Sequence, residues 1–175
     1  MPKKKQRMPK ASADAWSEPV NGLAGRLHVE FEDLKPGLRH AVYLELKNHS
    51  LYPLAVTNQP RVQAELFDSS GEPVITGGSG GGPEPIPQWA VIPPDAYIGF
   101  RIDMQTVDMP TRDRRMALIA VGGRTWKVGP GKYVLQIALV FERQKDGPQN
   151  QWAGELELPP VEVVVTTQML ALTDG

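Results

Sequence analysis

The sequence contains no cysteine. Disulfides, thiolate-held metals and cysteine nucleophiles are therefore unavailable to it, and the absence fits a reducing compartment. No continuous apolar run approaches the roughly eighteen residues of a membrane-spanning helix. The first residues carry charge with no apolar stretch behind them, which does not match a standard export signal. The chain reads as soluble and cytoplasmic. Helical periodicity is missing as well. Only Met104–Arg115, "MQTVDMPTRDRR", leaves room for a single helical turn, and Pro110 falls inside it. Histidine is scarce: His28 faces outward on an expected strand, His40 precedes one and His49 lies in a turn. No zinc-type histidine spacing, no G-x-S-x-G elbow and no phosphate-loop lysine pattern occurs. We expect a chain that is not an enzyme and that needs neither metal nor cofactor.

What is present is punctuation. The 175 residues include 17 glycines and 17 prolines, too many for a helical bundle. Hydrophobic residues make up 41% and charged residues 22%, which suits one globular domain with a core of its own. Between the turns the period is two. In "RLHVEFE", Leu27, Val29 and Phe31 share one face; in "AVYLELK", Val42, Leu44 and Leu46 do. "RVQAELFD" places Val62, Ala64 and Leu66 together, and "YIGFRIDM" does the same with Ile98, Phe100, Ile102 and Met104. Apolar-in, polar-out strands of this kind belong to antiparallel sheets. In "KYVLQIALVFE" both faces are apolar, which marks a central strand. "MALIAVGGRTWKV" reads as a hairpin turning at Gly122-Gly123. "GELELPPVEVVV" must bend or change sheets at Pro159-Pro160, because proline donates nothing to a ladder. The fold class expected is all-β, with about seven to nine strands packed as two antiparallel sheets.

Three segments follow from this reading: a disordered basic arm (1–15), a β-domain (16–168) and a C-terminal tail (169–175). The net charge of −1 conceals an asymmetry, because residues 1–10 hold five cations and no acid. The body is acidic, so nucleic acid is a possible partner only through Lys3, Lys4, Lys5 and Arg7. "PKKKQR" is similar to a short import signal or tether; a solvated tail is the plain alternative.

Several stretches could carry contacts. The run Gly77–Gly82, broken only by Ser79, is followed by "PEPIPQW", which cannot begin a helix. It reads as a hinge leading into a stiff extended segment. Ile86 and Trp89 either fold back over the chain's own core or dock in a partner's groove. The cluster Arg112, Asp113, Arg114, Arg115 could grip an acidic partner; otherwise it is a solvated loop. Glu155 and Glu157 share one strand face, either as an acid–base pair or as charges guarding a sheet edge. Of Trp16, Trp126 and Trp152, at most two belong in the core. The candidate partner-binding residues are thus Ile86, Trp89, Arg112, Arg114 and Arg115.

The order of phrases resembles an immunoglobulin-like or fibronectin-III-like bacterial module. The segments that carry it are "VYLELKNHSLYPLAV" (42–56), "VIPPDAYIGFRID" (91–103) and "VGPGKYVLQIALVF" (128–141). A similar order is found in the intracellular proteinase inhibitor family of bacteria. The resemblance implies an antiparallel β-sandwich, and at Tyr133 it implies a hydroxyl bonded to backbone across a corner. It further implies a non-catalytic protein-binding or assembly module. Contacts would lie in loops, especially 77–95 and 104–115, or along a sheet edge. The alternative is a protease inhibitor presenting an extended loop.

Overall fold

The structure, a computed structural model, describes residues 15–32, 39–77, 88–103, 105–110 and 115–166. Among these residues there is no helix, and every strand pairing between the named strands is antiparallel. The chain is all-β. The strands run β1 (Leu23–Glu32), β2 (Arg39–Asn48), β3 (Leu54–Thr57), β4 (Arg61–Phe67), β5 (Trp89–Ile92), β6 (Tyr97–Asp103), β7 (Gln105–Pro110), β8 (Arg115–Val121), β9 (Arg124–Val128), β10 (Gly131–Phe141), β11 (Gly154–Glu157) and β12 (Val161–Val165).

Among the described residues there are twelve strands against the seven to nine expected, and they are hydrogen-bonded as four sheets. The excess has local causes. Short strands β3 and β5 pair with each other, with Ala55 of β3 also bridging Gln151, and β7, β8 and β9 form a meander of their own. Pro159-Pro160 splits one long strand into β11 and β12. Both halves stay on the same edge of β10, so the chain bends there without changing sheets. The Leu158 N–H still reaches the Ile137 carbonyl at 2.9 Å, which keeps the bend closed against β10.

β10 is central, as its two apolar faces suggest. One edge pairs with β4 and the other with β11 and β12. Leu135, Ile137, Leu139 and Phe141 are all buried. A separate, three-stranded sheet has the order β1-β2-β6. The two contribute to one hydrophobic core, with Leu27, Leu44 and Leu46 in the same cluster as Leu66, Leu135 and Leu156. They meet closely at Gly25, where a Cβ would lie 2.6 Å from a Leu158 methyl and 2.9 Å from one of Leu156. A larger residue there would force the Leu156 and Leu158 side chains to shift.

The expected turns hold. Gly122 and Gly123 take φ of 57° and 77°, the conformation that a two-residue hairpin loop requires. Tyr133 donates its hydroxyl to the Gly129 carbonyl at 2.9 Å. Burial, and then the nearby Asp68 carboxylate, push this phenol above its ordinary pKa, which keeps it a donor.

Two expectations are corrected. Residues 105–110 are not a loop or a helical turn; they form β7, in register with β8 from Gln105↔Ala120 to Pro110↔Arg115. Pro110 ends the strand, a position where its missing N–H is tolerated. His40 lies inside β2, opposite Phe31, rather than before it.

Candidate functional site

Asn48 closes β2 and is fully buried. A buried amide costs free energy unless its donors and acceptor are matched, and here they are. Its Nδ2 donates to the Tyr52 carbonyl at 2.8 Å and to the Ile92 carbonyl at 2.9 Å. Its Oδ1 accepts from the Ser50 N–H at 2.8 Å. Its backbone donates to Ala96 and accepts from Asp95, while the neighbouring His49 N–H reaches the Gly22 carbonyl at 2.7 Å. Asn48 thus ties the turn at 49–53 to the one at 93–96, and His49 beside it adds the turn at 21–22. Asp95 adopts φ of 59° to complete the last of these. Asn150 adds a fourth segment, donating to the Pro53 carbonyl at 3.0 Å.

At the tip of this assembly stand two apolar side chains in water. Leu51 is 86% exposed and Tyr52 74%. The Ser50 hydroxyl donates to the Tyr52 carbonyl at 2.7 Å, so the backbone beneath them is fixed twice over. Large exposed side chains are usually set on mobile loops; these are held in place by a buried hub.

A second surface lies to the side. Residues 16–20 follow the outer edge of β1: the Ser17 N–H donates to the Gly25 carbonyl at 2.8 Å, and the Gly25 N–H donates to Ser17 Oγ at 3.0 Å. The Trp152 indole N–H holds the Val20 carbonyl at 3.1 Å. Arg26 lies over the Trp16 ring, 4.6 Å from its centroid, and pairs with Glu45. Tyr97 meets Trp16 edge to face at 6.4 Å. Between this wall and β11 opens a cleft of about 650 Å³, lined by Trp16, Ser17, Glu18, Val20, Glu155, Glu157, Leu158 and Pro159.

The residues singled out in the sequence are not gathered into one site. Trp89 opens β5 opposite Thr57 and is half-buried, with its ring against Gly147 of the 144–151 loop. Residues 89–92 of the supposed 77–95 loop are therefore strand, because β3 offers them a partner. Arg115 opens β8 opposite Pro110. Ile86, Arg112 and Arg114 lie outside the described residues, as do Lys3, Lys4, Lys5 and Arg7 and most of the glycine run. Gly77 alone of that run is described, and its N–H bonds to the Thr125 carbonyl at 2.7 Å. Glu155 and Glu157 are exposed on a strand at the edge of its sheet. Trp126 and Trp152 are buried and Trp16 is not fully so. Among the described residues no three His, Asp or Glu side chains gather as a metal site.

Sequence reasoning missed Asn48 and the Leu51–Tyr52 tip. It also passed over Asn21-Gly22, a dipeptide with a strong hairpin signal, which here joins the Val20–Leu23 bridge. No protein-family model and no curated protein matches this chain.

Proposed function

We propose that this chain is an immunoglobulin-like β-sandwich that works as a non-enzymatic protein-binding module. The sandwich reading is supported by the division of strands, β1-β2-β6 against β4-β10 with β11 and β12, and by the Tyr133 hydroxyl bonded four residues upstream. The observation that carries the functional reading is the Leu51–Tyr52 tip, exposed and yet anchored through Asn48. A contact ordered in advance loses less conformational entropy on binding than a mobile one. Aromatic and aliphatic anchors are also the side chains that dominate interface energetics.

The test is quantitative affinity capture with the full chain and with the Leu51→Asp/Tyr52→Asp variant. Both side chains are exposed, so the variant keeps its melting temperature. A stoichiometric partner held by the parent and lost by the variant is the expected result. Retention of that partner by the variant would sink the reading.

A further inference from the structure

The side cleft has features that the loop tip does not explain. It opens where the edge of one sheet, formed by β1 and residues 16–20, meets the edge of the other, formed by β11. Among the described residues β11 is bonded along β10 only, so the backbone groups on its outer side have no partner. Free edges of this kind accept an added strand. The cleft's charge is one-sided. Glu18, Glu155 and Glu157 line it with no lysine, arginine or histidine, and none of the three is ion-paired among the described residues. The floor and wall are apolar, provided by Trp16, Val20, Leu158 and Pro159. The wall is also fixed, through the Ser17, Val20 and Trp16 contacts to β1, Trp152, Arg26 and Tyr97.

We propose that this cleft receives an extended, lysine- or arginine-bearing segment of a partner protein, which adds to β11 as a strand. Backbone bonds to β11 would supply register. Every second side chain of the segment would bring a cation to Glu155, Glu157 and Glu18, and its aliphatic stem would lie on Trp16. The same glutamates repel acidic strands and would be left uncompensated beside a neutral one, so the device that guards the edge against aggregation also selects the occupant. This surface is separate from the Leu51–Tyr52 tip and does not depend on it.

The test titrates the full chain, at low salt, with a decapeptide of alternating lysine and valine, followed by NMR shifts of the Trp16 indole and the 155–157 amides. A matched peptide with glutamate for lysine is the control. Saturable shifts with the lysine peptide alone are expected. Glu155→Gln/Glu157→Gln should weaken binding about tenfold, since two exposed charge pairs are removed. Leu51→Asp/Tyr52→Asp should bind the peptide like the parent, which separates this site from the loop tip. No saturable binding, or equal binding of the glutamate peptide, or binding unaffected by the double glutamine change, would each overturn the proposal. If the peptide fails to bind and removal of residues 1–10 shifts the cleft resonances of the peptide-free chain, the occupant is the chain's own basic segment 1–10. That outcome also overturns a partner in trans.

Discussion

Asn48 and Gln151 are both buried amides, and they do different work. Asn48 bonds to backbone at Ser50, Tyr52 and Ile92, the last 44 residues away in the chain. Among the described residues the Gln151 side chain bonds to Gln144 alone, accepting from its N–H at 2.7 Å and donating to its carbonyl at 2.8 Å. The first joins separate turns into one end of the molecule. The second closes a single loop upon itself. A buried amide therefore matters less for the number of its bonds than for how far apart in sequence its partners lie. Separate segments lose more freedom when they are held together.

The largest effect should come from Asn48→Ala. It strands the buried Ile92 carbonyl and takes one partner from the part-buried Tyr52 carbonyl and Ser50 N–H, which together costs about 3 kcal/mol. Thermal or urea unfolding measures the loss, and the 21–22 and 93–96 turns should loosen with it. Gln151→Ala should cost about 1–2 kcal/mol, because its two partners lie near the surface and can be rehydrated. Its disturbance should stay within 144–151 and beside Trp89, which packs on Gly147. If the two variants lose equal stability, or if the Gln151 variant also loosens the 49–53 turn, the contrast fails.

Asp68 sharpens the comparison from the exposed side. Its Oδ1 accepts from Ser70 N at 2.8 Å, Ser70 Oγ at 2.6 Å and Glu72 N at 3.0 Å, all within one surface turn. The hydrogen bond from the Ser70 side chain, followed by the backbone bonds, holds its pKa below the ordinary carboxylate value. A lowered folded-state pKa contributes stability that is present above the ordinary value and lost as pH falls through the folded one. Asp68→Ala should therefore give the smallest change of the three, visible at neutral pH. The two melting curves should converge as the pH falls below the ordinary carboxylate range. A difference that grows with acidification would contradict the assignment.

Legibility in the sequence followed the range of the interactions. β10 was readable because its apolar residues declare both faces within eleven positions. The Gly122-Gly123 turn was equally local, and so was the Tyr133–Gly129 bond once the resemblance pointed to it. β7 was not readable. Asp108, Thr106 and Pro110 resemble a loop, and only pairing with β8 makes them a strand. Asn48 sits in "KNHS", which reads as an ordinary turn. Its burial depends on Ile92 and Ala96, which fold back from another part of the chain. Gly25 looks unremarkable in "LAGRL", because the leucines that crowd it belong to β11 and the residue that follows it. The cleft joins residues 16–20 to 155–159, a separation that no local pattern reports.

The central claim is that the Leu51–Tyr52 tip is held rigid from below by Asn48. Amide hydrogen exchange on the intact chain tests it most directly, read at His49, Ser50 and Asp95, whose N–H groups are bonded to Gly22, Asn48 Oδ1 and the Asn48 carbonyl. The account predicts that these three amides exchange as slowly as those of core strand β2, and more slowly than Gln144. Exchange at the rate of an open loop would contradict it.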